Sequence, residues 1–201
     1  MAEALVEAGE EAQARANPQF GGSLHYHRLD VRDRESTNQI MSTIANGKNR
    51  LDGLVAAAGV NHIASAINHS AADIERIISI NYTGAFTSAT AAATQMLNKR
   101  SRGSILLVSS MKALLWNGAT SIRKTGGIRV NCLCPGHIMT PMAKMVMDGT
   151  PGTKEIWESE NMMGRLARPE EFRGIALLLM SNASSFMTGS TIVADGGHTA
   201  W

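Results

Sequence analysis

The chain has 201 residues, 44% of them hydrophobic and 18% charged, apolar enough to bury a core and too apolar for a disordered chain. Nineteen basic residues against seventeen acidic ones leave a formal charge of +2, which offers no basic stripe for nucleic acid and no acidic tail. Uncharged apolar runs such as 105–108 and 175–180 fall far short of the roughly 18–20 residues of a membrane span, and residues 2–9 carry acids where a signal peptide carries bases.

One cytoplasmic domain over residues 1–201 is therefore expected, with no membrane and no nucleic-acid partner. In chain order, apolar residues at 2, 4, 5, 6 and 8 predict a helix closed by Gly9, followed by a polar, Ala-rich helical stretch over 10–16. Asn17-Pro18 and Gly21-Gly22 read as a turn. Leu24, Tyr26, Leu29 and Val31 alternate in part and predict a strand over 24–31, leading into a helix capped near Asp33. Residues 36–46 predict a helix with Ile40, Met41 and Ile44 on one face. Residues 51–59 read as a strand entering a glycine turn, and 71–80 and 83–99 as helices. The apolar runs 104–108 and 128–134 have strand length and no alternation, as expected of strands covered on both faces. A helix over 170–180 and a strand over 190–194, before Asp195-Gly196-Gly197, complete the pattern.

Short apolar strands alternating with helices imply βαβ units and a parallel sheet. In such sheets ligands bind beyond the carboxyl ends of the strands. The positions of interest are then Asp30, Ala56–Gly59, Ser109-Ser110 and Pro135–Thr140. Cys132 and Cys134, two apart on a strand, share a face in poor geometry for a disulfide, and they form no C-x-x-C motif. They are expected as buried free thiols of a reducing compartment.

Seven motif pieces, some at these strand ends, follow in order along the chain. They are Leu29-Asp30-Val31-Arg32-Asp33, Ala56-Ala57-Ala58-Gly59, Asn81-Tyr82-Thr83-Gly84-Ala85-Phe86, the 103–110 strand with its two serines, and 128–136 with Thr140-Pro141-Met142. Gly164-Arg165 with Pro169-Glu170-Glu171, and Thr188-Gly189 with Asp195-Gly196-Gly197, follow. In this order, over residues 24–197, these pieces resemble the short-chain dehydrogenase/reductase family of NAD(P)-dependent oxidoreductases. The resemblance implies a Rossmann-type three-layer α/β/α sandwich with a mostly parallel, doubly wound sheet, complete or truncated. It implies hydride transfer between a nicotinamide and a secondary alcohol or ketone, with NADP or NAD as cofactor and a small alcohol or carbonyl compound as substrate.

The same resemblance implies roles. Asp30 would bond the adenine amino group beside the Val31 backbone. Ala56, Ala57, Ala58 and Gly59 would let the backbone approach the adenosine ribose, although Ala56 replaces the family's Asn, whose side chain braces the sheet. Ser110 would donate to the substrate oxygen, and Asn81 would hold a relay water on its backbone carbonyl. Pro135 and Gly136 would turn the chain under the nicotinamide, the Ile138 backbone would meet the carboxamide, and the Thr140 hydroxyl would support it. Plainer alternatives stand beside these: Asp30 or Asn81 as a helix cap, Ser109 and Ser110 as turn residues, and Thr140-Pro141 as a helix start. His25 and His27 share a strand face but have no third ligand in view, so no metal is expected. The sequons at Asn68, Asn81 and Asn182 carry little meaning without an export signal. Met139, Met142, Met145 and Met147 fall where the family has its mobile substrate lid, and packing is the expected role of these adaptable side chains.

Three family elements are missing from the sequence. There is no Gly-rich phosphate turn, the anchor for a pyrophosphate at a helix N-terminus. There is no second strand, so the choice between NAD and NADP cannot be read. There is also no Tyr-x-x-x-Lys pair, because Tyr26 is followed four residues later by Asp30 and Tyr82 by Phe86. That spacing puts an ammonium one helical turn from the phenol, lowering its pKa for proton transfer. Lys112 and Lys124 flank the gap, and neither supplies the missing acid. The helix lost there is one of two that form the family's dimer face, so a homo-oligomer is expected only if that helix exists. Two readings stay open: an enzyme whose full chain holds these elements, or a chain this short that is an inactive remnant serving as a binding or interaction module.

Overall fold

The computed structural model describes residues 2–15, 22–111 and 126–200. Four strands pair in parallel in the order β1-β2-β3-β4: β1 (Gly53–Ala56), β2 (Ser104–Val108), β3 (Arg129–Pro135) and β4 (Thr191–Ala194). The register runs Ala56 to Leu107, Leu107 to Cys132, and Pro135 to Ala194, so all four carboxyl ends lie on one edge of the sheet.

Helices cover both faces. On one side α2 (Arg34–Lys48) packs against α4 (Ala85–Asn98), and α4 lies on β1 and β2. Ala-rich α4 presents Ala89, Ala92, Ala93 and Met96 to Ile105, Leu107, Val130, Cys132 and Cys134. Small side chains let its backbone come close to the sheet. On the other side α7 (Arg173–Met180) sets Leu179 against Leu106 and Leu133. Successive residues of β2 thus feed opposite cores, which is why both middle strands are apolar throughout. Ser104 Oγ donates to the Leu179 carbonyl at 2.7 Å, fastening the end of α7 to β2.

Local signals set the helix ends. Asp33 caps α2 by accepting from the Ser36 N–H at 3.0 Å. Ser70 and Asp73 form a reciprocal capping box on α3 (Ala71–Ile78). α5 (Pro141–Gly149) starts with proline under the Thr140 cap, and α6 (Thr153–Glu160) follows Gly152 at φ 85°. Between α3 and α4, Ser79–Gly84 winds as a π-helix. The helix expected over 170–180 opens as a 3-10 turn, Pro169–Phe172. Cys132 and Cys134 are buried and free, their sulfurs 3.8 Å apart, against about 2.05 Å in a disulfide. Burial pushes the Cys132 thiol up to about 12, and the Cys134 sulfur beside it adds to the effect.

Two expectations need correction. Residues 24–30 are not a strand but an irregular segment, because no neighbouring strand meets their backbone groups and alternation without a partner gives no ladder. The described strands therefore progress in one direction, and the reversal of a doubly wound order is not formed among them. α1 (Ala2–Ala14) runs through Gly9 instead of ending there. The Tyr26 N–H donates to Gln13 Oε1 at 2.6 Å, joining α1 to the irregular segment. β1 is consequently the outer strand, and Val55 on it is 48% exposed.

Replacing Leu106, 1% exposed, by alanine should cost about 2–5 kcal/mol in denaturant unfolding through the cavity it leaves. Leu177→Ala, at 70% exposed, should stay within about 0.5 kcal/mol of the parent. Arg165 forks onto Glu171 with bonds of 2.9 and 2.7 Å. With the Arg168 N–H, that fork holds the Glu171 carboxyl down at about 2. The stabilisation is whole above the unfolded value, about 4.3, and is lost as pH falls from there through about 2. Solvent screening keeps it small, so the readout is carboxyl NMR. Glu171 should remain ionised at about pH 3, and Arg165→Met should move its titration up toward about 4.3.

Candidate functional site

Three of the expected clusters sit side by side at the carboxyl edge of the sheet. Ala56 is buried as β1 ends, while Ala57, Ala58 and Gly59 beyond it are exposed and small. A methyl added at Gly59 would meet Asn81 Oδ1 at 3.6 Å, an ordinary contact. The loop therefore has a shallow, unobstructed surface against which a flat ribose or base could lie, and in that respect it fits a dinucleotide.

Asn81 holds this loop in place. Its Oδ1 accepts from the Val60 N–H at 2.8 Å, and its Nδ2 donates to the Val60 carbonyl at 2.9 Å. Both ends of one amide thus bind the N–H and the carbonyl of one residue, fixing the amide's orientation. Asn81 does not cap the following helix. It sits within the π-helical turn, where the extra residue per turn loosens the backbone ladder. Gly84, in the same turn, must be glycine for packing: an added methyl would lie 2.6 Å from Val31 Cγ2. Val31 is thereby set against the start of α4, close in space to the Asn81 turn though far from it in sequence.

Beyond β2, the Ser109 N–H donates to the Leu133 carbonyl at 2.8 Å and the Met111 N–H to the Pro135 carbonyl at 3.0 Å. Ser110, between them, is half-buried and held at the edge of the sheet by ladder bonds on both sides. Pro135 ends β3. The Gly136 N–H reaches the Ala194 carbonyl at 3.0 Å, and a methyl on Gly136 would lie 2.6 Å from Asp195 Cα. Only glycine permits that approach. Ile138 bridges to Ala167. The Thr140 hydroxyl accepts from the Ala143 N–H at 3.1 Å, so it caps α5 and has its proton left to donate elsewhere.

Asp30 departs from expectation. It neither follows a strand nor caps a helix, and its carboxylate is engaged by Arg32, whose Nε contacts both oxygens at 3.0 Å and whose backbone N–H adds 3.0 Å. These bonds, the Arg32 side chain first, hold the Asp30 carboxyl down at about 2. An adenine amino group at Asp30 would share an oxygen already taken by a guanidinium. Arg32, two residues on in sequence, is close enough to make this pairing local. Residues 112–125, with Lys112 and Lys124, lie outside the described residues.

A cavity of about 270 Å³ opens at the ends of β3 and β4, lined by Gly136, His137, Asn161, Arg165, Asp195 and Gly196 among others. It lies beside the Ser110 edge and does not include it. Asp195 builds one wall. Burial raises its carboxyl, but bonds from the Thr199 hydroxyl and from the Thr199 and Gly197 N–H groups outweigh that and lower it overall. Among the described residues no helix is long and apolar enough to cross a membrane.

Asn81→Ala should remove both bonds to Val60 and cost about 1–2 kcal/mol, and Val60 amide hydrogen exchange should accelerate with it. Asn81→Asp keeps the acceptor and should lose only part of the protection.

Residues 2–122 match a family described as short chain dehydrogenase, and residues 118–199 one described as enoyl-(acyl carrier protein) reductase. D-arabinitol 2-dehydrogenase (ribulose-forming) of Scheffersomyces stipitis is 31% identical over 215 residues, covering 96% of this chain and 77% of that protein. Cyclopentanol dehydrogenase of Comamonas sp. is 32% identical over 212 residues, covering 96% and 84%. Among solved structures, a short-chain type dehydrogenase/reductase from Mycobacterium marinum superposes with a TM-score of 0.84 at 28% identity, covering 100% of this chain and 84% of that one. A gluconate 5-dehydrogenase from Burkholderia cenocepacia, in complex with NADP and tartrate, shares the fold at a TM-score of 0.79 and 24% identity. The chain, with its parallel sheet, its small-residue loop after β1 and its glycine turn after β3, belongs to the short-chain dehydrogenase/reductase family of NAD(P)-dependent oxidoreductases.

Proposed function

We propose that this protein serves hydride transfer between NAD(P) and a small secondary alcohol or its ketone, in the cytoplasm. The observation that carries the reading is the Asn81–Val60 clamp. It fixes an exposed run of three small residues at a strand end, beside the Ser110 edge, in a chain whose relatives are named for polyol and cyclic-alcohol oxidation.

The nicotinamide supplies the hydride acceptor or donor when bound. Residues 56–59 give the nucleotide a close backbone approach, and Pro135, Gly136, Ile138 and Thr140 form the wall on which the nicotinamide end would rest. The Thr140 hydroxyl retains a proton to donate there while its oxygen caps α5. Ser110 donates to the substrate oxygen, where charge gathers as the carbonyl is reduced. The Asn81 carbonyl, in a turn with a loosened ladder, holds a water for proton exchange. The Val31 backbone lies at the adenine end, and Asp30 reaches the adenine only by sharing its carboxylate with Arg32.

No tyrosine in the sequence has a lysine four residues on, so these 201 residues do not contain the phenol–ammonium pair that the family resemblance implies as the proton donor. A positioned general acid contributes about 10²–10⁴-fold, and turnover should be slower by that factor than in a relative that has one. The same sequence feature favours a second reading, a relative that binds the nucleotide without turning it over.

The test follows absorbance at 340 nm with NAD and NADP, using D-arabinitol, cyclopentanol and a panel of secondary alcohols. The preparation's intact mass should match the 201-residue chain, and nucleotide binding is measured in parallel by calorimetry. Slow turnover that falls a further 10²-fold or so in Ser110→Ala is expected. Binding without turnover gives the second reading, and failure of both nucleotides to bind overturns the proposal.

A further inference from the structure

Three side chains from three separate segments converge beside the cavity at the ends of β3 and β4. His137 follows the Gly136 turn, Glu160 is the last residue of α6, and His198 follows the Asp195–Gly197 turn. The His137 ring stacks on Trp157 of α6 at 4.3 Å and 7°, and its edge meets the His198 ring at 5.1 Å and 82°. His198 Nδ1 lies 3.9 Å from Glu160 Oε2, and one donor atom from each of the three lies within 4.8 Å of the others.

The chemistry of this set is specific. Two imidazoles and one carboxylate are a donor combination that zinc takes in open, four-coordinate sites, with water in the remaining position. Tetrahedral ligands about 2.05 Å from a zinc ion stand about 3.3 Å apart, so the His198–Glu160 separation, 3.9 Å, must close by about 0.6 Å, and a pair at the 4.8 Å bound of the set by about 1.5 Å. His198 Nδ1 is buried and has no hydrogen-bond partner among the described residues, and neither has Asn161 Oδ1 on the adjoining cavity wall. The first could ligate an ion, and the second could orient a water bound to it.

The scaffold holds the set in place. Asp195 accepts bonds from the Gly197 and Thr199 backbones that bracket His198. Trp157 fixes the plane of His137. The three side-chain environments differ enough to give the ion a way in: His198 is 18% exposed and Glu160 46%. By contrast His25 and His27 stand in the irregular 22–30 segment with no third donor among the described residues. His62 and His69 face each other at 5.2 Å, and Asp73 lies 3.7 Å from His62, but they do not converge as the first set does.

We propose that His137, Glu160 and His198 form a binding site for one divalent transition-metal ion of the zinc type. The ion would clamp α6 to the turns that follow β3 and β4. It takes no part in hydride transfer.

The chelator-treated, dialysed full chain is titrated calorimetrically with zinc chloride and, separately, with nickel chloride while tryptophan fluorescence is followed. One ion per chain should bind, and thermal unfolding should shift upward with zinc. Loss of a ligand should weaken binding at least about tenfold in His198→Ala and in Glu160→Gln. Glu160→Gln keeps the side-chain volume at a half-exposed position, so its fold should be intact by circular dichroism. The double variant His25→Ala/His27→Ala should bind as the parent does. Nickel should quench the fluorescence of the parent, and Trp157→Phe should abolish most of the quenching. The proposal is overturned if no ion binds saturably. Equal binding by the parent, His198→Ala and Glu160→Gln would overturn it as well, and so would loss of binding in the His25/His27 variant.

Discussion

The pairing of β3 with a strand on each side governs the molecule. Val130 and Leu133 are locked between Ile105 and Val108 on one flank, and Cys132 and Pro135 between Thr191 and Ala194 on the other. Because the strands are parallel, their carboxyl ends fall level. The loops that follow them are then forced onto one edge whatever their sequence. Close packing adds to this: Gly136 passes under Asp195 with no room for a side chain, and that tightness sets where the chain emerges on its way to His137 and Thr140.

On the β1 side the constraint is different. Asn81 binds both backbone groups of Val60 in the loop, and the π-helical turn positions its amide. The turn also has to accept Val31 against Gly84. A single unusual helical turn thus joins the irregular 22–31 segment, the loop after β1 and the start of α4. The sheet edge and this turn are the two supports of the candidate site.

The sequence made the middle strands legible because burial on both faces leaves a continuous apolar run, and it made the α2 start legible because Asp33 caps through its own side chain. The strand expected over 24–31 rested on Leu24, Tyr26, Leu29 and Val31, a local pattern. A strand exists only when a neighbour takes up its backbone groups, and that neighbour is not encoded within the segment. Position along the chain foretold the strand ends at Ala56–Gly59, Ser110 and Pro135-Gly136. It could not foretell which partner each side chain would choose. Asn81 is far from Val60 in sequence, and the Asp30–Arg32 fork competes with the adenine contact that family likeness suggests. His137, Glu160 and His198 had no sequence pattern at all, being brought together only by the turns after two strands and the end of a helix.

The buried sulfurs of Cys132 and Cys134 have a practical consequence. The Cys132 thiol, pushed up to about 12, is almost entirely protonated at neutral pH, and both sulfurs are packed in the core beneath α4, shielded from alkylating reagents. Modification by a maleimide would therefore proceed only through global opening of the sheet, which makes the two cysteines a built-in clock for how often the protein comes apart.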